Sequence, residues 1–117
     1  MGYYVTTPIY YVNAEPHLGH VYTTLCVDAI ARYHRLAGQE TFFLTGTDEH
    51  GIKMVKTAQD QKIEPQQLAD RVVSVFQQVW KELEITHDDF IRTTEPRHKL
   101  AVQEIVNTAP GSEPPPP

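Results

Sequence analysis

Hydrophobic and polar positions along this chain follow two rhythms. Tyr3-Tyr4-Val5-Thr6-Thr7 is a short aromatic and β-branched run stopped by Pro8, the pattern of a buried strand. Pro8 to Pro16 holds two prolines and Asn13 and is expected to be loop. From His17 to Ala37 the apolar residues Val21, Leu25, Ala29, Tyr33 and Leu36, with Ile30 beside them, recur at helical spacing, and Gly38 stands where a C-terminal cap belongs. Gln39 links this helix to Glu40-Thr41-Phe42-Phe43-Leu44-Thr45, a second strand expected to end at Gly46. Strand, helix and strand in so short a length predict a βαβ unit with parallel strands.

Gly46-Thr47-Asp48-Glu49-His50-Gly51 then forms a loop, and Ile52 to Gln61 a short helix. Glu64-Pro65 opens a stronger one, with proline at the first helical position and an apolar face of Leu68, Val72, Val75, Phe76, Val79, Trp80 and Leu83. That stripe belongs to a core. Phe90-Ile91 is a short extended stretch, and Thr94-Glu95-Pro96 starts a last helix that uses Leu100, Ala101, Ile105 and Val106. Residues 1–107 thus make one α/β unit. Residues 108–117 end in four prolines, supply no core residues and are expected to form an extended, solvated tail.

A length of 117 residues allows one small domain or a piece of a larger one, with an ordinary globular balance of 40% hydrophobic and 21% charged residues. The net charge of -5 argues against a freestanding nucleic-acid binder, though not against a catalytic core whose RNA-binding parts lie elsewhere. The single cysteine, Cys26, excludes an internal disulfide and a Cys-rich zinc site. Flanked by Leu25 and Val27, it is expected to be buried and inert, and a free thiol fits a reducing cytoplasm. No stretch is long and apolar enough to span a membrane, and the N-terminus lacks the basic start and apolar core of a signal peptide. The expected location is cytoplasmic.

The chemistry concentrates where the first strand turns into the first helix. Backbone N–H groups at a helix start lack partners and carry partial positive charge, a natural seat for phosphate. His17 and His20, at i and i+3, share that helix start and could be surface residues, a metal pair or phosphate donors. Gly19 between them costs about 1 kcal/mol relative to alanine. Metal binding does not need that glycine, whereas a base or sugar packed against the backbone does. No third metal ligand stands nearby, and no metal is expected in this chain. Asp48, at the end of the second strand, is either a helix cap or a carboxylate that faces the same crevice and holds an ammonium group. Glu49 and His50 read as loop polars or local hydrogen-bonding partners. The chain has no G-x-G-x-x-G after a strand and no G-x-x-x-x-G-K, which argues against a nicotinamide or P-loop enzyme.

His17-Leu18-Gly19-His20 resembles the "HIGH" signature of class I aminoacyl-tRNA synthetases, a motif whose short form small nucleotidyltransferases share. The flanks narrow the resemblance to the methionyl-tRNA synthetase family. They are Thr7-Pro8-Ile9-Tyr10-Tyr11-Val12-Asn13, Ala31-Arg32-Tyr33 with Arg35 and Gly38, Phe43 to Gly51, and Asp88-Asp89-Phe90-Ile91-Arg92-Thr93-Thr94. The resemblance covers residues 3 to about 106 and implies the N-terminal half of a Rossmann-like nucleotide-binding fold, with parallel strands and flanking helices. It implies activation of L-methionine by ATP, as its Mg2+ complex, and transfer to tRNA(Met). His17 and His20 would be catalytic and, with Gly19 and Asn13, ATP-binding, while Ile9, Tyr11 and Asp48 would bind methionine. It further implies a fragment. The family's connective insertion with its zinc-binding cysteines, second nucleotide-fold half, Lys-Met-Ser-Lys-Ser loop and anticodon-binding helices lie beyond this length, so the chain alone is expected to be inactive. The alternatives are a small nucleotidyltransferase with the same histidine turn and a noncatalytic truncated synthetase.

Overall fold

In the computed structural model, which describes residues 1–109, the elements run β1 (Tyr3–Thr6), β2 (Tyr10–Tyr11), α1 (Leu18–Leu36), β3 (Thr41–Asp48), α2 (Ile52–Asp60), α3 (Pro65–Glu82), β4 (Asp89–Arg92) and α4 (Pro96–Thr108). The central strand is β3, and all its neighbours run parallel to it. Leu44 pairs with both Thr6 and Asp89, and Thr47 with both Tyr10 and Arg92, so β1 and β2 follow one edge of β3 and β4 the other. The expected parallel α/β unit is what forms. Thr108 still belongs to α4, and the proline-rich remainder of the expected tail, from residue 110, lies outside the described residues.

Two boundaries differ from the sequence expectation. The strand expected to end at Gly46 continues to Asp48. Gly46 is not a terminator but a close-approach residue, since a Cβ there would meet the Ile91 carbonyl oxygen at 2.1 Å. Because β3 is long, the stretch expected to be pure loop can pair with its end, and Tyr10-Tyr11 become β2. At Gly38 the expectation holds: φ is +79°, the left-handed conformation that closes a helix, one residue past the C-cap Ala37.

The largest correction concerns α1. The stripe expected to be buried is mostly solvent-facing: Leu25, Ala29, Ile30, Tyr33 and Leu36 are exposed, and only Val21 is half-buried. The buried face carries Thr24, Asp28 and Ala31 instead. It can be buried because its polar groups find partners. Thr24 Oγ1 lies 2.9 Å from the Tyr10 hydroxyl. The Asp28 carboxylate accepts from the Thr86 amide at 2.7 Å, the Thr86 hydroxyl at 2.6 Å and Arg32 Nε at 2.7 Å. Cys26 is likewise exposed rather than buried, because it lies off this face. On α4 the expected apolar face, Leu100, Ala101, Ile105 and Val106, is exposed, since no described element packs over it.

The core gathers on one side of the sheet. Phe43, Phe76 and Trp80 are fully buried there, with Leu68 and Val72 of α3 and Met54 and Ala58 of α2. The expected α3 stripe is largely confirmed, with Val75 and Val79 half-buried and Leu83 exposed at its end. Tyr3 stacks on His34 of α1, whereas the neighbouring pair Tyr4 and Phe42, on the opposite face, is exposed. Helices therefore cover one face of the sheet, and the site lies at the carboxyl ends of β2 and β3.

Candidate active site

His17 ends the loop and caps α1 with its own side chain. Its Nδ1 accepts the Gly19 amide at 3.0 Å, while its backbone N–H donates to His20 Nδ1 at 3.1 Å. The two rings stack with centroids 3.7 Å apart and planes 20° apart. A Cβ on Gly19 would stand 2.9 Å from His17 Cε1, so the space that glycine frees lies against the His17 ring. His20 is half-buried, 4.7 Å from the Tyr10 ring and 5.4 Å from Phe76. Burial, and secondarily the neighbouring His17, lower its pKa below the ordinary histidine value. Both effects favour the neutral ring of His20 over its cation.

Ile9, Tyr11, Asn13, His17 and His20 line one cavity of about 280 Å³, together with Tyr10 and Ala14. Asp48 lines a second cavity of about 400 Å³. Tyr11 and Asn13 belong to both, so the cavities adjoin, and Tyr11 is also the β-register partner of Asp48. Six of the seven sequence candidates thus converge on one double crevice. The seventh, Gly19, lines neither cavity.

Asp48 commits one oxygen locally, its Oδ1 accepting from the His50 amide at 3.1 Å. That bond turns the loop and caps no helix, since α2 starts from Gly51 without a side-chain cap, so the capping role considered for Asp48 does not form. The sequence also understates two neighbours. Lys53, in the first turn of α2, lines the larger cavity together with Asp48. Its position straight after the Gly51 turn was the only available signal. Glu49, expected to be a loop polar or a local hydrogen-bonding partner, has a side chain with 0% exposure, accepts locally from the Thr47 hydroxyl and forms an ion pair to Arg92 Nε at 2.7 Å. It also accepts from the Thr94 hydroxyl, and its backbone N–H donates to Thr93 Oγ1 at 2.8 Å. Arg92, Thr93 and Thr94 lie 43 to 45 residues away, where no local pattern points. Among the described residues no three His, Cys, Asp or Glu side chains gather as a metal-binding group, and no helix is long and apolar enough to cross a membrane.

The profile of the family described as "tRNA synthetases class I (M)" matches residues 3–111. The chain is 55% identical over 106 residues to the methionine–tRNA ligase of Thermotoga maritima, covering 91% of this chain and 17% of that protein. It is 52% identical over 103 residues to the methionine–tRNA ligase of Bacillus subtilis, covering 88% of this chain and 16% of that one. The solved structure of Mycobacterium tuberculosis methionyl-tRNA synthetase in complex with methionyl-adenylate superposes with a TM-score of 0.88 at 46% identity, over 92% of this chain and 21% of that one. The chain therefore spans about a fifth or less of the length of these relatives.

Proposed function

The chain belongs to the class I tRNA synthetases of the methionine type, and from that premise we propose that it supplies the methionine and ATP site of a methionine–tRNA ligase. The observation that carries this reading is the double crevice. One part holds two stacked imidazoles at a helix start, and the other holds a carboxylate, with Tyr11 and Asn13 shared between them. A methionyl-adenylate has the matching polarity, with an anionic phosphate at one end and an ammonium at the other.

In the proposed reaction the methionine carboxylate attacks the α-phosphate of ATP. An oxygen–phosphorus bond forms, the bond to the bridging oxygen breaks, and pyrophosphate leaves. The ordinary carboxyl pKa of the amino acid lies near 3.5, so the nucleophile is already ionised at neutral pH and needs no general base. What the reaction needs is alignment, and hydrogen-bond donors where charge develops. His17 and His20 supply ring N–H donors, and the α1 N-terminus stands behind them. Asp48 takes the ammonium, and Ile9 and Tyr11 offer the apolar and aromatic walls that suit a thioether. Asn13 completes the ATP side, Gly19 acts on it through the His17 ring for which it leaves space, and Mg2+ enters with ATP as part of the substrate. Transfer to tRNA(Met) and a cytoplasmic location belong to the same reading. The zinc expected of the family's insertion is not assigned to these residues.

Calorimetric titration of the chain with methionine, with ATP and with a non-hydrolysable methionyl-adenylate analogue tests this. The analogue binds more tightly than either substrate. Asp48→Ala removes a charge-assisted bond worth about 1.5–3 kcal/mol, and so weakens methionine and the analogue by roughly ten- to a hundredfold while sparing ATP. His17→Ala and His20→Ala weaken ATP, and each slows methionine-dependent ATP–pyrophosphate exchange by about a hundredfold where that reaction is measured. If Asp48→Ala changed only the ATP titration, the ammonium assignment would be wrong.

A further inference from the structure

The His17–His20 turn contains more information than the presence of two imidazoles. A ring nitrogen can accept an N–H only if it carries no proton itself, and a neutral imidazole carries a single proton. The Gly19 amide points at His17 Nδ1, and the His17 amide points at His20 Nδ1. We infer that the backbone locks both imidazoles as neutral Nε2–H tautomers, turning the motif into a pair of fixed outward N–H donors, and that Gly19 is required for the lock.

Each part of the turn supports another. The His17 ring folds back over its own helix start to reach the Gly19 amide, into the space where a Cβ at 19 would stand 2.9 Å from Cε1 and 3.1 Å from Nδ1. The glycine thus makes room for a side chain of the motif itself, before any ligand arrives. His20 closes the reciprocal bond, and its ring cannot swing away because Tyr10 and Phe76 lie against it. Tyr10 is itself held, its hydroxyl bonding Thr24 one turn further along the buried face of α1. Tyr10 is therefore a positioning residue for His20. Protonating either Nδ1 would delete a cap and set positive charge beside a ring only 3.7 Å away. Burial of His20, with His17 as its neighbour, already disfavours the cation there. Neither Nε2 has a protein partner among the described residues, and both rings line the smaller cavity. The turn is built to donate two hydrogen bonds from neutral rings rather than to present two cations. This deepens the proposed function and rests on it only for the identity of the acceptor, a phosphate oxygen.

The test is nuclear magnetic resonance on the uniformly 15N-labelled chain near pH 7.5. Nitrogen–nitrogen couplings through the hydrogen bonds are expected from the Gly19 amide to His17 Nδ1 and from the His17 amide to His20 Nδ1, with both Nδ1 shifts those of a bare ring nitrogen. A protonated Nδ1 on either ring, or loss of both couplings, would overturn the lock. Gly19→Ala is expected to lower the thermal midpoint and abolish the His17 coupling. In a His17→Asn chain, whose shorter cap leaves the space open, the same Gly19→Ala change is expected to raise the midpoint. An equal penalty in both backgrounds would overturn the role given to Gly19. Addition of ATP is expected to shift both Nε2 resonances. Couplings present with Nε2 unmoved would leave the lock standing and remove the phosphate reading alone.

Discussion

Arg92→Met should be among the most damaging single changes in this chain, through Glu49. Arg92 makes two ion pairs of unequal value. The one to Asp70, at 2.5 Å, involves a carboxylate whose side chain is 56% exposed, and a pair of that kind contributes about 0–1 kcal/mol. The one to Glu49, at 2.7 Å, involves a side chain with no exposure at all. Removing the cation leaves a buried carboxylate, a change that typically costs about 3–5 kcal/mol. The hydroxyls of Thr94 and Thr47 remain as donors to Glu49 and hold the loss toward the lower end, about 3 kcal/mol. Trp80, the sole tryptophan and fully buried, reports unfolding by its fluorescence in urea. Adding Glu49→Gln to Arg92→Met should recover more than half of the loss, because the orphaned charge is then gone, and Asp70→Asn alone should cost no more than about 1 kcal/mol. A loss under about 1 kcal/mol for Arg92→Met, or an unrelieved loss in the double variant, would refute the reasoning. The site would register the change too. Glu49 follows Asp48 directly, so Arg92→Met should weaken methionine binding in calorimetry by loosening the loop.

Further outcomes follow from the same structure. Gly46→Ala places a Cβ 2.1 Å from the Ile91 carbonyl, and as backbone cannot step aside, urea unfolding should show a loss of about 2–3 kcal/mol; a loss below 1 would mean that β3 and β4 separate easily. On α1, Leu36→Gln, at a site 89% exposed, should change stability by less than about 0.5 kcal/mol, while Asp28→Ala should cost about 2 kcal/mol by stranding the Thr86 amide. The reverse order would restore the face predicted from periodicity. The pKa of His20 is lowered by burial and by His17, and that of His87 by burial against the opposing pull of Asp28, Asp88 and Asp89. A folded state that binds protons less readily than the unfolded chain loses stability as pH falls, so these two contributions are intact above about pH 6.5 and decline below it. His87→Gln and His20→Gln should each flatten that decline in melting temperatures measured between pH 8 and 5, and an unchanged slope in both would refute the assignment.

Much of the site was legible because it is local. His17, Gly19 and His20 lie within one helical turn, and Ile9, Tyr11 and Asn13 lie on the loop just before it, so chain connectivity alone keeps them together. Asp48 was reachable by a topological argument, since parallel strands joined by a helix put their carboxyl ends on one side of the sheet. Glu49 was not legible. Its partners Arg92, Thr93 and Thr94 come from the far side of α3, and a carboxylate in a loop looks the same in sequence whether solvated or buried.

The sequence by itself determined the order of the elements apart from β2, the parallel pairing, the start of α1 at His17, the Gly38 stop and the apolar face of α3, set mostly by neighbours within a few residues. Only the tertiary structure decided which face of α1 is buried. Periodicity selects the most apolar stripe, but burial goes to the face whose polar groups are satisfied, and Thr24 and Asp28 are satisfied by Tyr10 and Thr86. It also decided what the glycines are for. Gly46 yields to the backbone of a strand 45 residues away, and Gly19 yields to the ring of His17. A glycine shows in sequence that something needs space, and the folded chain shows what fills it.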